Sequence, residues 1–136
     1  MKSIAHQLRE YIETTHSLVT VLGAAQKGTT AAIIITRVGM QSAGAFDDSP
    51  DAGDETILIQ SVYRGLDKNP WDNLNLIHDS LFPTATADFT GTFVSGGRTV
   101  KAVHDMGSND IDADRLPEDD VPWFGCEMKV LIQHQA

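Results

Sequence analysis

Residues 57–81, ILIQSVYRGLDKNPWDNLNLIHDSL, switch from one hydrophobic period to another within a few positions. Ile57, Ile59 and Ser61 alternate with Leu58, Gln60 and Val62, the period of two that sets successive side chains on opposite faces of a strand. Trp71, Leu74, Ile77, His78 and Leu81 then recur at helical spacing, the stripe of an amphipathic helix. The turn between them is built to start that helix. Asn69 is an N-cap candidate, Pro70 fits the first helical position with its fixed φ, and Asp72 brings negative charge to the first turn. Pro83 stops the helix. A strand that runs into a helix either holds a ligand at the helix start or lays the helix back on its sheet. The turn RGLDKNPWD has one glycine, a proline that deletes an amide and two aspartates that repel anions. It lacks the glycine-rich fingerprints that cradle phosphate. The stretch reads as scaffold, half of a two-layer fold, and leaves Arg64 and Lys68 as cations beside an acidic surface, candidates for subunit contacts.

The other elements fit that frame. Ile4, Leu8, Tyr11 and Ile12 recur at spacings of three and four from an N-cap at Ser3, an amphipathic helix. HSLVTVLG suits either a helix end or a short strand, and Gly23 stops both. TTAAIIITRVGMQ is short and rich in β-branched residues, a strand that emerges into solvent at Arg37. SAGAFDDSPDAGDE, with Asp47, Asp48, Asp51, Asp54 and Glu55, has no means of burying itself and reads as an exposed tip joining this strand to the one at 55–65. TFVSGGRTVKAVHDMG predicts a hairpin about Ser95-Gly96-Gly97, with Val100 and Ala102 on one face and Val103 on the other. SNDIDADRLPEDD is a second acidic loop. PWFGCEMKVLIQHQ alternates Phe124, Cys126, Met128, Val130 and Ile132 against Gly125, Glu127, Lys129 and Leu131, a half-buried strand. Antiparallel strands with helices on one face make an α+β two-layer sandwich, and 136 residues fit one domain, 1–136.

Charge narrows the function classes. Nineteen acidic against ten basic residues give a formal charge of −9, so the average surface repels phosphate and sequence-independent nucleic-acid binding is not expected. The longest apolar run, Ala31 to Ile35, falls far short of a membrane span of about 20 residues, and the start MKSIAHQLREYIETTH lacks the apolar centre of a signal peptide. Cys126 is the sole cysteine, which excludes an intrachain disulfide and a cysteine metal cluster and fits a reducing, cytoplasmic place of synthesis. It reads as a packed structural thiol.

Motifs for chemistry are scarce. Asp110, Asp112 and Asp114 alternate as the first ligands of an EF-hand loop do, but Arg115 stands where that loop needs glycine and Val121 where it needs a bidentate glutamate. His6, His16, His78, His104 and His134 show no spacing that sets two ligands on one face. His104 and Asp105 are neighbours on an extended chain and point to opposite faces. No nucleophile motif is present. No enzymatic activity, cofactor or metal site is expected. Trp71 and Trp123 flank polar segments, as core residues or as anchors for a partner.

The order of elements then carries the comparison. The N-terminal amphipathic helix, the strand AAIIITRVG, the acidic tip, the unit at 57–81, the strand GGRTVKAV, the acidic loop and the closing strand WFGCEMKVLIQ resemble the small tail terminator proteins of long-tailed bacteriophages, also called tail completion or minor capsid proteins. The likeness spans about Ser3 to Gln133. It implies a virion structural protein made in the host cytoplasm, a homo-oligomer, most simply a hexameric ring. Such a ring caps the tail tube, ends its growth and joins the tube to head connector and neck proteins. DNA would pass through it without specific binding, past loops carrying Asp47, Asp48, Asp51, Asp54, Asp110, Asp112 and Asp114, while Arg37, Arg64 and Lys68 would serve subunit contacts. A head-completion or adaptor protein of the same neck is the neighbouring reading. A small α+β ligand-binding module, with a pocket between helix and sheet near His78 or His104, is the reading from another class, and a calcium-responsive loop is a third.

Overall fold

The structure, a computed structural model, describes residues 3–23, 31–42, 52–65, 69–83 and 88–135. In chain order the elements are α1 (Ile4–His16), β1 (Thr20–Leu22), β2 (Ala31–Ser42), β3 (Ala52–Arg64), α2 (Pro70–Leu81), β4 (Gly91–Thr92), β5 (Thr99–Asp110), a 3-10 turn at Ala113–Arg115, and β6 (Trp123–Gln135). The strands form one sheet in the order β1-β2-β3-β6-β5-β4, antiparallel except for the β1–β2 pair. This is the expected α+β arrangement, a mostly antiparallel sheet with both helices on one face.

The helices begin as their caps dictate. Ser3 Oγ accepts the His6 amide at 3.3 Å, and Asn69 Oδ1 accepts the Trp71 amide at 3.0 Å with Pro70 just inside. Helix α1 ends where Ser17 enters the left-handed region at φ 55° and its amide reaches Glu13 O. That bend ends the helix, and the ambiguous HSLVTVLG becomes β1, tied to α1 by Arg9 Nε donating to Thr20 O at 3.2 Å.

Alternation on β3 and β6 builds the core. Ile57 faces Val130, Ile59 faces Met128 and Ser61 faces Cys126 across the β3–β6 ladder, all buried on the helical face. Ile33 and Ile35 of β2 extend that face. Ile4, Leu8 and Ile12 of α1 and Leu74, Ile77 and Leu81 of α2 close over it, each side chain contributing about 1.5–3 kcal/mol by burial. Phe89 and Phe93 stack with ring centroids 4.6 Å apart, and Tyr11 packs tilted against both at 5.4 and 5.3 Å. Gln7 is fully buried and earns its place by accepting the Arg98 amide at 2.9 Å.

Three expectations change. First, β3 begins before Glu55 and takes in Asp54, and Glu55 is buried instead of exposed, because β3 is paired on both sides there: Glu55 lies opposite Met40 and Ile132. Glu55 continues the core-facing parity of Ile57 and Ile59 and is 2% exposed. Its carboxylate lies 2.6 Å from His134 Nε2 and 3.3 Å from Arg37 Nη1. Burial pushes its pKa up, but the hydrogen bond and charge of His134, followed by Arg37, outweigh that and hold it below the usual value. Second, Val100 and Val103 both face the core, since a bulge at Lys101 adds one residue and reverses the alternation. Third, β6 is buried on both faces along Gly125 to Met128, because the segment from Ile111 to Leu116 crosses the far face of the sheet. Ile111, Ala32, Ile34 and Val62 form a second small core there. At the strand's start Phe124, expected inside, is 38% exposed.

Gly125 marks the closest approach of that crossing. A Cβ on it would meet Ile111 Cδ1 at 2.9 Å, Val62 Cγ1 at 3.0 Å and Ser61 O at 3.1 Å. Gly125→Ala should lower the unfolding free energy by about 1–3 kcal/mol, as overpacking against backbone does, read as a fall in the urea midpoint at unchanged slope. The Glu55 cluster predicts an acid limb. A carboxyl held low in the folded state stabilises above its unfolded value of about 4.5, and that contribution is lost as pH falls through the folded value. Stability of Glu55→Gln, measured by urea unfolding, should therefore be lower than the parent's near pH 7 and fall less steeply below about pH 4.5.

Candidate assembly and docking surfaces

The sheet is open, and its two long outer strands are barely covered. β1 pairs with β2 only at Ile33 to Ile35, and β4 pairs with β5 only at Thr99 and Val100. Among the described residues, the outer edges of β2 from Thr36 to Ser42 and of β5 from Ala102 to Asp110 carry no partner strand. An unpaired edge presents a row of amides and carbonyls that can pair with another chain. Each edge also carries an exposed apolar side chain, Val38 on β2 at 50% and Met106 on β5 at 53%. A second bulge between Asp105 and Ser108, with Gly107 at φ +104°, bends β5 beside Met106.

Two of the three cations named from sequence, Arg64 and Arg37, are tied within the chain. Arg64 donates to both oxygens of Asp119, at 2.8 and 3.1 Å, and Arg37 reaches Glu55. Asp119 is held below its ordinary value by Arg64, then by the Asp120 amide. Lys68, Asp47, Asp48 and Asp51 lie outside the described residues. Asp54 is a half-buried residue of β3, Asp110 closes β5, and Asp112 and Asp114 are exposed at the 3-10 turn. Sequence gave no hint that Arg115, the residue that spoils the EF-hand pattern, forks onto Glu127 with two bonds of 2.7 Å. That contact, ahead of the opposing desolvation and a bond from Gln60 Nε2, lowers the Glu127 pKa. Among the described residues no three His, Cys, Asp or Glu side chains converge to hold a metal.

Histidines find partners that are far off in sequence. His78 Nε2 meets Asp105 Oδ2 at 3.0 Å, so Asp105 serves α2 and not its neighbour His104. Asp105 is kept below its ordinary value by the Gly107 amide and then by His78, against desolvation. His16 meets Ser80 at 2.7 Å, pinning the two helix ends together. Cys126 is fully buried, and burial, with Asp110 and Glu127 adding repulsion, pushes its thiol up to about 12. It is a packing residue. The space between helices and sheet is filled by the core side chains.

Among the described residues Val38 and Met106 line one concavity with Leu58 and Lys129, and a second, apolar one lies where the start of α2, the end of β5 and the start of β6 meet. A groove of about 460 Å³ is lined there by Pro70, Trp71, Ile111, Leu116, Trp123 and Phe124, with Asp110 at its wall. Trp71 Nε1 donates to Asp110 Oδ1 at 2.7 Å, which fixes the indole plane. Both tryptophans are half-buried, so they are at once the rim of the core and the lining of this groove. The signal in the sequence was Ile111, one apolar residue inside an acidic run. No helix among the described residues is long and apolar enough to cross a membrane. No known family model and no curated protein matches the chain.

Proposed function

We propose that the chain is a structural assembly protein of a phage neck, a tail terminator that closes into a ring on the tail tube, ends its growth and forms the joint with the head. The observation that supports the reading most is the pair of bare strand edges on opposite sides of one open sheet. A β2 edge on one copy and a β5 edge on the next make a head-to-tail contact, and such contacts form closed rings when the rotation between copies divides the circle. The order helix, strand, strand, helix, strand, strand for the longer elements is that of the resembling family. The acidic loop carrying Asp110, Asp112 and Asp114 would supply carboxylates for a lumen through which DNA slides without adhering, and Asp47, Asp48 and Asp51, outside the described residues, would add to them. A head-side adaptor would share the ring and differ in the tube it meets.

Electron microscopy of the purified protein, alone and mixed with tail tubes of the phage that encodes it, separates these outcomes. The terminator reading expects rings seated on one end of each tube and tubes that stop lengthening when tube protein is added. Tubes that keep growing with bare ends would overturn it, and rings that bind connector alone would assign the protein to the head side.

A further inference from the structure

The groove between α2 and the start of β6 has a chemistry that the strand edges do not share. Its lining is apolar and aromatic, and its 460 Å³ falls within the range of sites that take a few side chains or a small ligand. Its frame is strongly anionic. Residues 110–120, DIDADRLPEDD, contribute Asp110, Asp112, Asp114, Glu118, Asp119 and Asp120 against the single cation Arg115, and Arg115 is committed to Glu127. Asp72 adds a further exposed carboxylate in the first turn of α2. Arg64, at the end of β3 opposite Trp123, is taken by Asp119.

We infer that this groove docks a short basic segment of another protein, with one or two apolar side chains inserted between Trp71, Trp123 and Phe124 and flanking Lys or Arg side chains over Asp110, Asp112 and Asp114. Charge complementarity selects the occupant. Nucleic acid, phosphorylated ligands and small carboxylates meet repulsion from Asp110 in the lining and from the acids of the 110–120 segment that forms one wall. A second copy of this chain is a poor occupant, because it carries a net charge of −9 and four of its ten basic residues, Arg9, Arg37, Arg64 and Arg115, are already in ion pairs. A basic partner gains from the field as it approaches and from the aromatic walls once seated, and half-buried tryptophans are the residues most often dominant in such contacts. The inference is independent of the neck reading, since it rests on the groove and its charge alone.

The probe is a fluorescein-labelled peptide with a Leu-Phe-Leu centre flanked on each side by two lysines, titrated with the full chain and followed by anisotropy. The controls are the same centre flanked by glutamates, lysine-only peptide without the centre, and a labelled DNA 20-mer. The basic anchored peptide should bind at least tenfold more tightly than any control. The double variant Asp112→Asn/Asp114→Asn, at exposed positions, should weaken it several-fold and flatten its salt dependence, while the thermal midpoint stays put. Ala113→Trp, which fills the groove from an exposed residue of the 3-10 turn, should abolish binding. Equal binding of the glutamate-flanked peptide, preference for DNA or lysine-only peptide, undiminished binding to Ala113→Trp, or no binding of the basic anchored peptide at millimolar concentration would each overturn the assignment.

Discussion

The β3–β6 ladder is the element on which the rest depends. It runs in unbroken register from Ala52 opposite Gln135 to Arg64 opposite Trp123, over the full 13 residues of each strand. Because side chains alternate with a strict period of two, this uninterrupted register sends Ile57, Ile59, Cys126, Met128, Val130 and Ile132 to one face together. A slip of one residue would send them to the other face and bring Gln60, Glu127 and Lys129 under the helices. The sheet's outer strands tolerate bulges at Val38, Lys101 and Met106-Gly107, while its central pair has none.

The two buried carboxylates of that ladder are each met by partners from other strands and segments. Glu55 at one end of the core face is met by His134 and Arg37, and Glu127 on the far face by Arg115 and Gln60. A buried carboxylate left alone would cost several kcal/mol, so each acid ties down the segment that answers it. Arg115 thereby holds the 110–116 crossing over Gly125, and that crossing forms one wall of the tryptophan groove. The groove is thus a by-product of strand register: it exists because β6 is long enough to carry Trp123 and Phe124 past the core, and because Ile111 is drawn onto the bare backbone of Gly125.

Much of this architecture was legible in the sequence, and for specific reasons. Cap chemistry at Ser3 and Asn69-Pro70 is local, so both helix starts fall where the residues place them. Alternation at 57–62 and 124–132 is likewise local, and the core set follows from it. What escaped is set by chain that is distant in sequence. Glu55 reads as a solvated acid until β6 brings His134 beside it, and Val103 reads as opposite in face to Val100 until a bulge that no residue announces brings both to the core. Arg115 was visible only as a defect in a calcium pattern, because Glu127 lies 12 residues on and beneath it. Of the candidate site, the two tryptophans and the acidic run were evident, but their meeting around Ile111 is a tertiary fact.

We propose that copies of this chain join through the edges of β2 and β5 that carry no partner strand among the described residues. Amide hydrogen exchange across a concentration series tests it most directly, because outward-facing amides of a strand edge gain protection only when a partner strand accepts them. Alternate amides in 36–42 and 102–110 should exchange rapidly at low concentration and slow together as the assembled species forms, with the β3–β6 ladder protected throughout. An assembled species in which those two edges still exchange as fast as in the monomer would contradict it.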